Sequence, residues 1–215
     1  MTPRVVSTNV AVRREDPSGR HDYTGIDKQP RELIDVVKPG PNYGDGSGVV
    51  ADSIGDQKHH GGADKAIYAF AREELDWWED QLGRSLPSGS FGENLTTEGI
   101  VWKDVLINQR LRIGSTLLEV SVPRQPCATF SGWIGERGWL KTFTQHGEAG
   151  AYLRVIEPGQ INTGEKIELL DAPAHDITMG MAFAAKMGDK ELARRVVEAN
   201  VLPAIHHEKL VKIVD

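Results

Sequence analysis

LEVSVPRQPCATF, residues Leu118 to Phe130, is the stretch from which the rest of the chain is read. Leu118, Val120 and Val122 alternate with polar neighbours and mark one face of a strand. Pro123 and Pro126 lack the N–H that a sheet ladder needs, so the strand ends there and Arg124, Gln125 and Cys127 sit on a stiff loop. Cys127 is the only cysteine in 215 residues. A cationic neighbour favours a thiolate, the form that ligates a soft metal or attacks an electrophile. Packed among apolar side chains, a free cysteine is instead a small hydrophobe. Both readings stay open on these residues alone.

Around that stretch the composition is that of a folded chain, with 39% apolar and 26% charged residues. A net charge of −6 argues against a nucleic-acid binder, which needs a clustered excess of Lys and Arg. One cysteine excludes an intrachain disulfide framework, a cysteine-based zinc finger and a cysteine-ligated iron–sulfur cluster. No apolar run has the length of a signal peptide or a membrane span, so a cytoplasmic protein without membrane contact is expected.

Outward from Leu118, the alternation of Leu111 to Ile113, the Gly114 turn and Thr116 to Val122 read as a hairpin leading into the proline loop. Upstream, Arg4 to Arg13, Arg31 to Val37 and Ala66 to Phe70 read as strands, and Arg72 to Leu82 as a helix. In that helix Leu75, Trp78 and Leu82 recur at helical spacing, Glu73 and Glu74 suit the first turn, and Trp77 and Trp78 are packing residues. Downstream, Trp133 to Phe143 is helical or irregular, and Ala151 to Ile156 with Glu165 to Leu170 reads as a second hairpin about Pro158-Gly159. Short strands between Gly/Pro turns up to Asp171 make a closed or nearly closed β-barrel. After Asp171 the pattern turns helical: Ile177 to Met187, Asp189 to Ala199 with Asp189 as N-cap, and Pro203 to Val214. The fold class is therefore mainly β with α, a barrel over residues 1–171 and a small three-helix subdomain over 172–215. His206 and His207 read as a surface pair outside the chemistry, and Met179, Phe183, Leu192, Val196 and Ile205 as an apolar face needing a partner.

The glycine-punctuated segments carry the remaining signal. In His59-His60-Gly61-Gly62-Ala63-Asp64-Lys65 the two glycines permit close backbone approach to a ligand, while adjacent histidines point apart and rarely share a metal. Ser88 to Thr96 is similar in character, and Thr24 to Lys28 is a turn delivering a lysine. Asp27 and Lys28 taken singly read as ordinary surface residues.

Three of these segments, His59 to Ile67, Gly89 to Thr96 and Pro123 to Cys127, together resemble the MOSC domain, named for the carboxy-terminal domain of molybdenum cofactor sulfurases. The resemblance covers about Val5 to Asp171, and the helical tail resembles the three-helix appendage of the family's YiiM-like branch. It implies a MOSC-type β-barrel holding a molybdopterin-type molybdenum cofactor, with Cys127 as molybdenum ligand or sulfur carrier. It also implies an oxidoreductase that reduces N-hydroxylated bases and related N-oxygenated compounds. A pterin phosphate calls for cations and backbone N–H donors, for which Lys28, Arg124, His60 and the Gly61-Gly62 turn are the candidates, with Asn94 facing the pterin ring. No cluster ligands and no flavin fingerprint are present, so a separate electron-donating reductase is implied; a homodimer is a further expectation. The alternative is a sulfur-carrier or cofactor-handling protein with a persulfide on Cys127. All these candidates lie at strand ends or glycine turns, which a barrel mouth collects into one concave site.

Overall fold

The computed structural model describes residues 2–214; Met1 and Asp215, the outer ends of the two expected parts, lie outside them. Strand β7 (Thr116–Val120) carries Leu118 and Val120 into the core, and Val122 beyond its end is buried as well. It pairs with β6 (Arg110–Ile113) in the register Leu111↔Leu118, the hairpin that the alternation about Gly114 predicts. On the other side of β7 lies β8 (Ala151–Glu157), followed by β4 (Ile67–Ala71) and β5 (Leu95–Glu98). Strand β1 (Arg4–Ala11) is antiparallel to β5 and carries the edge strand β2 (Lys28–Arg31) on its other side, while β10 (Ile167–Leu169) flanks β6. The eight-stranded order is β10-β6-β7-β8-β4-β5-β1-β2.

This sheet curls without closing, which corrects the closed-barrel expectation to a mixed, partly open one. Near the start of β1, one bridge joins Arg4 to Lys166, and Val5 and Gly164 exchange main-chain hydrogen bonds with Glu165 and Val5. From Thr8 onward the same edge of β1 is taken by β2, so β10 cannot extend the seam. The pair β4–β5 is parallel, and α1 (Arg72–Leu82) makes the crossover between them, as parallel pairing requires.

Two further expectations fail. Ala151 to Ile156 and Glu165 to Leu170 form no hairpin: β8 is inserted between β7 and β4, and β10 pairs with β6. Between them runs β9 (Gly159–Asn162), which pairs with β3 (Leu33–Val36) in a separate two-stranded sheet. The single strand expected over Arg31 to Val37 is thus two, β2 and β3, split at Glu32 because each half has a different partner.

Helices α2 (Ala128–Ile134) and α3 (Trp139–His146) follow the proline loop. With α1 they enclose an aromatic cluster of Trp78, Phe91, Phe130, Trp139 and Phe143, packed edge-on or tilted except for the stacked pair Trp78–Phe143, with the ring centroids of Phe91 and Phe130 5.1 Å apart. Trp77 is partly exposed and stacks on His146. The tail forms α4 (Met179–Lys186), α5 (Lys190–Ala199) and α6 (Ala204–Val214), with Thr178 and Asp189 as side-chain N-caps of the first two. Met179, Phe183 and Val196 are buried in one apolar cluster that runs on into the sheet; Ile205 is 42% exposed and is no part of it. Among the described residues no helix is long and apolar enough to cross a membrane.

Candidate functional site

Past the end of β7, Ser121 and Val122 still bond Tyr152 of β8 through their main chains. Pro123 then releases the chain from the sheet, and Arg124 turns inward. Its guanidinium is 6% exposed, donates to the Phe91 carbonyl, and lies 4.0 Å over the Phe130 ring and 5.0 Å over that of Tyr68. Among the described residues it has no carboxylate partner. Three residues on, Cys127 is half-buried at the start of α2 and free.

Both residues line a cavity of about 640 Å³, and the other sequence-predicted residues converge on it except one. Lys28, His60, Gly61, Asn94, Arg124 and Cys127 all line it, although they come from β2, two glycine turns and the proline loop. Gly62 does not. A Cβ there would meet the Asn42 carbonyl oxygen at 2.0 Å, so this residue, at φ +71°, serves packing of the 41–48 loop rather than ligand approach. Gly89 has a comparable duty: at φ +91° it lets the backbone press on the Lys28 carbonyl, where a Cβ would come within 2.1 Å. The fully buried Glu93 holds that turn, accepting from the amides of Gly89 and Phe91 and from the Thr96 hydroxyl.

The polar capacity of Lys28 and Asn94 is already spent within the protein. Lys28 Nζ lies 2.6 Å from both oxygens of Asp52. Asn94 donates to Asp52 at 3.0 Å and accepts from the Tyr68 amide at 3.2 Å. Ala11 N and Ser47 Oγ complete the shell of Asp52. Burial alone would raise this carboxyl, but Lys28 and the surrounding donors hold it below the usual carboxylate range, so it is ionised. The three side chains form a rigid, charge-balanced wall. Asp52 was missed in the sequence because nothing in Val49-Val50-Ala51-Asp52 distinguishes it from a turn residue.

Elsewhere in the lining the lysines have no ion-pair partner among the described residues. Lys65, next to the glycine turn, donates to the His59 carbonyl and lies over the rings of Tyr43 and Tyr152 at 5.0 and 5.4 Å. Burial, then Lys209, pushes it down to about 8. His60 faces the Tyr152 hydroxyl at 3.2 Å, and burial followed by Lys65 keeps its imidazole neutral. The tail adds His206 and Lys209 to the lining, which corrects the expectation of a surface histidine pair. His206 is 2% exposed: Tyr43 Oη sits 2.5 Å from Nε2, and Lys186 Nζ sits 2.6 Å from Nδ1. The reach of α6 onto the 41–48 loop is a long-range contact that no local spacing announces.

A chain of net charge −6 thus carries a cavity in which Arg124, Lys65 and Lys209 have no carboxylate partner among the described residues, while Asp56 in the same lining is met by His59 and His21. Such a site is built for an anion, and a phosphate-bearing pterin fits the donor set, with the Cys127 sulfur in the same wall. A second cavity, about 240 Å³, is lined by Glu73, Glu74 and Glu148 and by no residue of the three motifs. Among the described residues no three His, Cys, Asp or Glu side chains gather into a metal cluster.

Comparison with known proteins agrees with this architecture. The MOSC domain family model matches residues 56–168. The YflK protein of Bacillus subtilis (strain 168) is 34% identical over 164 residues, covering 76% of this chain and 71% of that protein. A protein of Gibberella moniliformis (strain M3125 / FGSC 7600) named Reductase is 31% identical over 141 residues, 62% of this chain but 24% of its own length. The crystal structure of YiiM from Geobacillus stearothermophilus superposes with a TM-score of 0.78 at 26% identity, covering 99% of this chain and 100% of that one. The motif residues, the curled sheet and the matched span together make this chain a member of the MOSC domain family.

Proposed function

We propose that the protein holds a molybdopterin-type molybdenum cofactor in the Cys127 cavity and reduces N-hydroxylated compounds such as N-hydroxylated bases. The observation that carries this reading is Arg124: a buried guanidinium with no carboxylate, on the loop that also presents the only cysteine. Leaving such a charge unpaired is costly, and an anionic ligand group removes the cost. The Reductase name of the Gibberella moniliformis relative is in keeping with redox chemistry.

In this reading Arg124 and Lys65 hold anionic groups of the cofactor, and Cys127 offers a soft sulfur ligand. When bound, the cofactor supplies the two-electron chemistry that turns N–OH and two protons into N–H and water. The chain's own residues do the rest. The Lys28–Asp52–Asn94 wall keeps its geometry because every polar atom in it is paired. The aromatic cluster behind Arg124 excludes water. Tyr152 and His60 hold a hydroxyl proton at the cavity surface, since burial keeps the phenol protonated. Electrons come from a separate reductase, and the setting is cytoplasmic.

The test is metal and sulfur analysis of protein produced in a host that makes the cofactor. Molybdenum near one atom per chain, lost when Arg124 is replaced by Leu, is the expected result. Sulfane sulfur on Cys127 with no molybdenum overturns the reductase reading in favour of a sulfur carrier.

A further inference from the structure

Three lysines meet where the tail reaches the cavity. Lys65 comes from the glycine turn before β4, Lys186 from the end of α4 and Lys209 from the middle of α6. Among the described residues none of the three is in an ion pair. Lys186 is 8% exposed and points its ammonium at His206 Nδ1, and His206 in turn reaches Tyr43 Oη through Nε2. Since Lys186 donates to Nδ1, the imidazole is neutral and carries its hydrogen on Nε2. Lys65, Tyr43, His206 and Lys209 line the cavity; Lys186 stands directly behind His206.

Like charges crowded into a buried place repel one another and lose hydration, and proteins place them so when a ligand supplies the opposite sign. Each group here suffers from the crowding. Burial, then Lys65 and Lys209, pushes Lys186 down to about 7, and burial followed by Lys186 takes His206 to about 2. Other charges face the group as well: Asp56 lines the same cavity and offsets part of the crowding at Lys65, Arg124 adds to it, and Arg154 on β8 is engaged with Asp64 and Glu119.

We propose that Lys65 and Lys209, with the Tyr43 hydroxyl, form a phosphate subsite in the cavity, separate from Arg124, and that Lys186 adds positive charge to it from behind His206. The ligand chemistry is a phosphate monoester or diester, carried either by the cofactor or by a nucleotide-like substrate. It gives a role to the contact of α6 with the 41–48 loop, which brings His206 and Lys209 into the lining. The inference does not depend on molybdenum, because inorganic phosphate alone suffices as a probe.

Calorimetric titration of the full chain with inorganic phosphate at pH 7 tests it. Protein from a host that cannot make the cofactor is expected to bind one phosphate. Lys209→Ala should weaken that binding about tenfold, as for a lost charge-assisted hydrogen bond, and Lys186→Met, which removes only a charge behind His206, about threefold. Lys209 is exposed, so its variant carries the test even if Lys186→Met fails to fold. In molybdenum-loaded protein, loss of phosphate binding assigns the subsite to the cofactor's own phosphate, and retained binding assigns it to a substrate phosphate. No phosphate binding by the cofactor-free wild type, or equal affinity in the folded variants, overturns the proposal.

Discussion

Cys127 makes no hydrogen bond through its sulfur among the described residues, so a serine in its place loses no partner. It is half-buried, and its main chain, not its sulfur, starts α2 by accepting from Ser131 N. Cys127→Ser should therefore fold like the parent, with a melting temperature within about 2 °C, equivalent to less than 1 kcal/mol. As a hard ligand of nearly equal size, serine should abolish reduction of N-hydroxylated compounds. Undiminished turnover in a folded variant would sink the ligand role. Proline punctuation and the lone cysteine made this corner of the site visible in the sequence. Lys28 and Asn94 were visible as positions but not as a wall, because their shared partner Asp52 lies in another loop. Gly62 read as ligand-facing, yet the requirement it meets is the nearby Asn42 carbonyl, a contact only the folded chain reveals.

At the scale of elements, the helical spacing of Leu75, Trp78 and Leu82 predicts α1 at its observed limits, and the Gly114 hairpin was equally legible. Strand β5 was not. Leu95-Thr96-Thr97-Glu98 has a single apolar residue, and its stability comes from lying between β4 and β1 rather than from any pattern of its own. Periodicity shows that a strand exists and which face is apolar, but not its partner, which is why β8 and β10 read as a hairpin. The tail illustrates the same limit with a measurable consequence. Lys186 on α4 has a folded-state value near 7 against 10.5 for an ordinary lysine. Between those values the unfolded chain binds a proton that the folded protein does not, so stability rises with pH across that window. Lys186→Met removes the burden: in phosphate-free buffer its melting temperature should exceed that of the parent by several degrees below pH 7, at ~2–4 °C per kcal/mol. That gain should shrink toward pH 10.5. A constant difference across the range, or a less stable variant at pH 6, would show that the ammonium is not strained in place.

The molecule as a whole is tied together by its first strand. β1 lies between β5 and β2, and its opening residues bond the 164–167 segment, so the curl of the open sheet is pinned at one point by residues far apart in the chain. In time, this makes folding a matter of waiting. A ribosome adds roughly 5–20 residues per second, so β1 emerges on the order of ten seconds or more before the 164–167 segment that completes its edge. Throughout that interval Val5 and Val10 have no finished core to enter, and the β1 amides stand open to other chains. Refolding of the full chain from denaturant should accordingly fall in the slow range, ms to s, of proteins dominated by non-local pairing, as stopped-flow tryptophan fluorescence can read. A microsecond phase carrying the whole signal change would contradict it. Newly made protein thus depends less on the strength of its finished fold than on how long its first strand stays unclaimed.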